Sequence, residues 1–219
     1  GGFMVFRKAN GETGAIDYRE KAPMAASKDM YLDQKGEVIE GKSTGTALAS
    51  GIPGTIAGIF EVHKKYGSLP MNEIVEPVIA LAEKGVIITK FQAESLNNNR
   101  EFFTKINGRN SLFSKVYKEN DTIKYTALAA TLKRIAKNGR DEFYKGETAQ
   151  KLVDFLAKKG GIATMEDLNS YKAKWRTPIT FQYKNLKITS MSPPSSGGIC
   201  LNQIMKMIEP FNLSQMGHN

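Results

Sequence analysis

Asp17-Tyr18-Arg19-Glu20-Lys21-Ala22-Pro23 follows a short apolar hairpin and leads into a loop. It sets one arginine between acids at the point where strand gives way to loop. Arginine is the side chain best suited to gripping a carboxylate, because its planar guanidinium donates two parallel hydrogen bonds. Taken alone the run says little, since surface acids and arginines usually pair with one another in solvent. Upstream, Phe3-Met4-Val5-Phe6 and Thr13-Gly14-Ala15-Ile16-Asp17-Tyr18 flank Asn10-Gly11, a strong turn pair, and together they predict a hairpin.

Downstream, two further stretches precede predicted helices: Ala49-Ser50-Gly51-Ile52-Pro53-Gly54-Thr55 and Ser190-Met191-Ser192-Pro193-Pro194-Ser195-Ser196-Gly197-Gly198. The first resembles a phosphate-binding loop only loosely. It lacks the Gly-Lys-Ser/Thr ending of a nucleotide loop and the Gly-x-Gly-x-x-Gly spacing of a dinucleotide site, so it reads as a tight turn that lets the next helix pack closely. In the second, Ser195 and Ser196 invite a nucleophile reading. The stronger reading is structural: two prolines fix an extended approach, and serine is a preferred cap for a helix opening at Gly197.

Helical periodicity dominates the middle of the chain. Over 54–66, Ile56, Ile59, Phe60 and His63 share a face, with Glu61, Lys64 and Lys65 pointing away. Over 72–84, Ile74, Val75, Val78, Leu81 and Ala82 form the expected buried side, with Pro77 introducing a kink and Gly85 stopping the helix. Leu128, Leu132, Ile135 and Ala136 line 126–137, and Ala149, Leu152, Val153, Phe155 and Leu156 line 147–158. Residues 97–125 give no regular pattern, and the polar stretch 33–45 reads as a mobile loop. Ile179, Phe181 and Tyr183 alternate as a half-buried strand, 186–191 repeats the alternation after a turn near Asn185, and Leu201, Ile204, Met205 and Ile208 mark a final helix.

Composition narrows the functional classes. The chain has 219 residues, 41% hydrophobic and 24% charged, which suits a soluble globular protein with a sizeable core. Its 31 Lys+Arg against 22 Asp+Glu give a formal +9. The cations are dispersed in pairs (Lys64-Lys65, Lys133-Arg134, Lys158-Lys159) rather than concentrated among aromatics, which argues against nucleic-acid binding. No apolar run is long enough to span a bilayer. The single Cys200 excludes an internal disulfide and, lying on an apolar helix, reads as a small core residue rather than a nucleophile. His63 and His218 are too far apart in sequence to suggest a metal cluster, and His63 reads as a core or boundary histidine.

In this order the three motifs resemble the large subunit of a γ-glutamyltranspeptidase, an N-terminal nucleophile hydrolase. Gly1-Gly2-Phe3-Met4-Val5, Lys65-Tyr66-Gly67-Ser68-Leu69-Pro70, Asp141-Glu142-Phe143-Tyr144-Lys145-Gly146, Arg176-Thr177-Pro178-Ile179 and Met216-Gly217-His218-Asn219 extend the likeness from end to end. Ser192 stands where relatives often carry a third proline, a local departure.

The resemblance implies an α+β fold: part of the family's four-layer α/β/β/α sandwich, helix-rich with strands near both ends. It implies that Arg19 is the substrate-binding residue, holding the α-carboxylate of a γ-glutamyl compound such as glutathione, and that no cofactor or metal is needed. The nucleophilic threonine of such enzymes begins a small subunit freed by self-cleavage, in a Thr-Thr-His type context that does not occur here. Residues 1–219 are therefore expected to be a single interior piece of the large subunit. The expected partner is the small subunit of the same precursor, the expected place the periplasm or the exterior, and the fragment alone is expected to be inactive. Cephalosporin acylases and poly-γ-glutamate-processing enzymes share much of this framework, and a non-catalytic relative or interaction fragment is a further alternative.

Overall fold

A computed structural model describes residues 1–217; His218 and Asn219, the end of the family-like run, lie outside the described residues. In chain order the first elements are β1 (Phe3–Arg7), β2 (Thr13–Asp17), α1 (Thr55–Tyr66), α2 (Met71–Lys84), β3 (Val86–Ile87), α3 (Lys90–Asn98), α4 (Arg100–Asn107) and β4 (Thr122–Ile123). There follow α5 (Thr126–Asn138), α6 (Arg140–Tyr144), α7 (Glu147–Lys158), α8 (Met165–Ser170), β5 (Lys174–Arg176), β6 (Ile179–Tyr183), β7 (Leu186–Ser190) and α9 (Gly197–Ile208). The fold class is α+β, helix-rich with strands near both ends. The chain divides into two compact units, one made of residues 1–22, 51–62 and 170 onward, the other of 23–50 and 63–169.

The first unit is built on a three-stranded antiparallel sheet in the order β1-β2-β5. The hairpin forms as its sequence predicts: Phe3 pairs with Asp17 and Arg7 with Thr13, and the turn closes with Gly11 at φ 89°, a conformation glycine adopts without strain. β2 is central, which is why Ala15, Ile16 and Asp17 are all buried. β5 is a short strand that the sequence pattern does not reveal. It sets Trp175 opposite Ile16, edge-to-face with Phe6.

The start of α1 approaches this sheet through its smallest residues, Ala57 and Gly58, and Ile59 is exposed. Glu61, expected to point away, instead accepts a 3.1 Å hydrogen bond from the Trp175 indole Nε1. A separate β6–β7 hairpin turns at Lys184-Asn185, with Lys184 at φ 50°, and packs against α9. Gly198 lies so close to the Met191 carbonyl that a Cβ there would stand 2.3 Å from it. Cys200, expected in the core, is exposed, as are Ile204 and Met207.

The second unit is helical. α2 and α5 pack together, and their buried residues are Ala82 on the first and Ala129 and Ile135 on the second. Ile74, Val78, Leu81 and Leu128, expected on the inner face, are about half exposed, and so is Phe155 on α7. The stretch 97–125, irregular in sequence, folds around a small core of Ile88, Ala93, Tyr117 and Ile123. α3 starts with a reciprocal cap, the Thr89 Oγ1 accepting from the Gln92 N–H and the Gln92 side chain from the Thr89 N–H.

Two buried carboxylates tie this unit together. Glu142 accepts hydrogen bonds from Arg134 Nε at 3.1 Å, Thr148 N–H at 3.1 Å and Thr148 Oγ1 at 2.8 Å. Asp167 accepts from the Met24 N–H at 2.7 Å and the Thr164 N–H at 2.8 Å. Burial works against the charge of both, and their hydrogen bonds outweigh it, holding both carboxyls below the usual range. With the folded-state pKa lowered, the unfolded chain takes up the proton first as pH falls. Stability from these groups is complete above the unfolded carboxylate range near ~4 and is lost as pH drops through the lowered values. Glu142→Gln therefore lowers the thermal midpoint at neutral pH and flattens the acid limb of a stability–pH curve. A variant with the parent's acid limb would show that Glu142 is not the titrating tie.

Candidate functional site

β2 delivers the chain to the Arg19 segment, and the segment's backbone is held on both sides. Tyr18 still pairs with Gly2, its N–H donating to Gly2 O at 3.0 Å and its carbonyl accepting from Gly2 N–H at 3.2 Å. At Arg19 the sheet stops. Its N–H is taken by the Asp17 Oδ1 at 3.0 Å, and its carbonyl accepts a 2.7 Å hydrogen bond from the Tyr171 hydroxyl. Asp17 is only 8% exposed, and its second oxygen receives the Arg176 fork, Nη2 at 2.9 Å and Nε at 3.3 Å. Two residues on, Lys21 exchanges backbone hydrogen bonds with Ile52, at 3.2 and 2.7 Å.

That pairing explains the glycines of the second motif. A Cβ on Gly51 would stand 3.0 Å from Glu20 Cγ. One on Gly54 would stand 2.0 Å from the Tyr171 hydroxyl and 2.1 Å from the Tyr18 carbonyl, and one on Gly58 would stand 2.3 Å from the Tyr18 ring. The stretch is a packing surface for the Arg19 segment, as the tight-turn reading holds.

The Arg19 side chain is half exposed. Its Nε donates to Glu20 Oε1 at 3.0 Å, while the two Nη groups meet no acceptor among the described residues. The hydrogen bond from Arg19 is the largest cause holding the Glu20 carboxyl below its ordinary range. The outer edge of the guanidinium is thus open, and that edge carries the parallel donors that match a carboxylate. Arg176, the other arginine nearby, spends its fork on Asp17 and is not available in the same way.

The remaining candidates take structural places. Ser195 Oγ accepts from the Gly197 N–H at 3.2 Å at the start of α9, whereas Ser196, the residue at the cap position, makes no side-chain cap bond. The His63 Nε2 lies 2.7 Å from the Leu69 carbonyl and anchors the turn after α1. Among the described residues no group of three or more His, Cys, Asp or Glu comes together, and no helix is long and apolar enough to cross a membrane. Sequence reasoning missed Tyr171 altogether and met Arg176 only as part of a motif, because neither lies near Arg19 in the chain.

Comparison with known proteins settles the family. The γ-glutamyltranspeptidase family model matches residues 1–219. This chain belongs to the γ-glutamyltranspeptidase family. It is 42% identical to the glutathione hydrolase proenzyme of Escherichia coli strain K12, over 99% of this chain and 38% of that protein. The crystal structure of Helicobacter pylori γ-glutamyltranspeptidase superposes with a TM-score of 0.95 at 44% identity, covering 100% of this chain and 64% of that one. The Pseudomonas nitroreducens γ-glutamyltranspeptidase, solved with L-DON, gives 0.91 at 39% identity over 100% of this chain and 65% of that one. The fold expected from the motifs is thus that of γ-glutamyltranspeptidase structures, and the chain spans well under half the length of the curated relatives it matches.

Proposed function

We propose that residues 1–219 are one continuous piece of the large subunit of an enzyme that cleaves the γ-glutamyl amide of glutathione and related compounds. In this reading Arg19 holds the substrate's α-carboxylate. The observation that carries it is the Arg19 geometry: a backbone clamped at both N–H and carbonyl, with the Nη edge open. Glutathione as a substrate is supported by the name of the Escherichia coli relative, and its description as a proenzyme supports a precursor that matures by cleavage.

The chemistry follows from the proposed nucleophile. A free threonine α-amine, with an ordinary pKa near ~8, takes the proton of its own hydroxyl close to neutral pH. The hydroxyl oxygen attacks the γ-carbonyl carbon, the amide C–N bond breaks, and the leaving amine carries the proton away. Water or an acceptor amine then releases the γ-glutamyl group. The small subunit supplies that threonine, and this chain supplies recognition. The proposed setting is the periplasm or the exterior. The test is the full-length precursor with a γ-glutamyl anilide that releases a chromogenic amine. Matured precursor that releases none sinks the proposal.

A further inference from the structure

We infer that Tyr171, backed by the Asp17–Arg176 pair, is a positioning residue that sets the preference for substrates carrying an α-carboxylate. The inference rests on the proposed role of Arg19. An arginine head at the end of a long side chain goes where its Cα and peptide planes send it. Past the end of β2 strand pairing reaches those planes only through the Tyr18 carbonyl, which accepts from the Gly2 N–H. Two side chains complete the hold: Asp17 takes the N–H of the peptide on the N-terminal side of Arg19, and the Tyr171 hydroxyl holds the one on the C-terminal side. The second also carries the Glu20 N–H, so its orientation places the carboxylate that tethers Arg19 Nε.

The holders are themselves immobilised. Tyr171 is 2% exposed, wedged at Gly54, with the Lys21 ammonium 4.9 Å from its ring centroid. Asp17 is fixed by the Arg176 fork, which reaches it diagonally across the β2–β5 pairing, where Arg176 sits opposite Ala15. A rotation of the 19–20 peptide would take the Arg19 carbonyl out of reach of Tyr171 and forfeit that bond. The open Nη edge is therefore presented in one direction before any ligand arrives, which is how a site avoids ordering a long side chain on binding.

Tyr171→Phe in the full-length precursor tests this, because it keeps the ring against Gly54 and removes only the donor. A merely structural role would lower activity equally on all substrates. A positioning role shows as a difference between the γ-glutamyl anilide and its analogue lacking the α-carboxylate. We expect the KM for the γ-glutamyl anilide to rise about three- to tenfold, the scale of one net hydrogen bond, with kcat within about twofold and the analogue unaffected. Arg176→Lys, which keeps the charge and loses the fork, should move the same ratio in the same direction. In an Arg19→Lys background, Tyr171→Phe should add no further discrimination. Equal losses on both substrates, or an unchanged KM for the γ-glutamyl anilide, overturn the inference while a discriminating Arg19→Lys leaves the Arg19 reading standing. An Arg19→Lys enzyme that handles both substrates as the parent does removes that reading and this inference with it.

Discussion

Arg19→Lys in the full-length precursor weakens γ-glutamyl substrates roughly ten- to a hundredfold while cleavage into subunits proceeds. Lysine keeps the charge and loses the two-pronged geometry, and the loss of a charge-assisted hydrogen bond costs on the order of 1.5–3 kcal/mol. The effect falls mainly on KM if the carboxylate is held equally in ground and transition states. Cleavage is spared because the guanidinium head is half exposed and takes no part in the backbone bonds that hold the segment. An analogue without the α-carboxylate is a poor substrate for the parent and loses little more in the variant. Normal turnover of glutathione by Arg19→Lys would make Arg19 a structural residue whose guanidinium pairs with Glu20.

Gly54→Ala produces the second large effect, and on stability rather than affinity. The added methyl carbon would stand 2.0 Å from the Tyr171 hydroxyl and 2.1 Å from the Tyr18 carbonyl. Neither can give way cheaply, since one is a buried ring and the other is backbone bonded to Gly2. Overpacking typically costs ~1–3 kcal/mol, and this site belongs at the upper end. For a protein of this size that is a fall of roughly 6–12 °C in Tm. Gly36, where a Cβ would meet nothing within 4 Å but φ is 84°, makes a useful contrast. Its alanine variant carries backbone strain without a clash and lowers Tm less. An equal fall at the two positions would show that Gly54 is not the packing point described.

Local pattern made the hairpin and the long helices legible, because a turn pair and a helical stripe are written within a few residues of themselves. Asn10-Gly11 is enough to close β1 on β2, and Gly85 and Gly139 sit where the helical pattern stops. What covers a stripe is not written locally. Ile74, Val78 and Leu81 form an apolar row, yet the buried residue of α2 is Ala82. Likewise Cys200 and Ile204 continue an apolar pattern into solvent. β5 was invisible because three residues carry no alternation, and its identity comes from its partner. The site shows the same division. Arg19 could be singled out from its own heptapeptide and from the family resemblance, whereas Tyr171 and Arg176 become part of the site only through tertiary contact.

The distance between Asp17 and Arg176 along the chain is 159 residues. A ribosome adding ~5–20 residues per second needs roughly ten to thirty seconds to cover it. Throughout that interval the hairpin has emerged without its third strand, and β2, destined for the middle of the sheet, waits as an edge with an unpaired carboxylate at its end. The residues that define the arginine's surroundings are synthesised in two batches, one at each end of that interval. Mutations near Trp175 and Arg176 should therefore register in the yield of nascent chains that escape aggregation before they register in the properties of the molecules that fold.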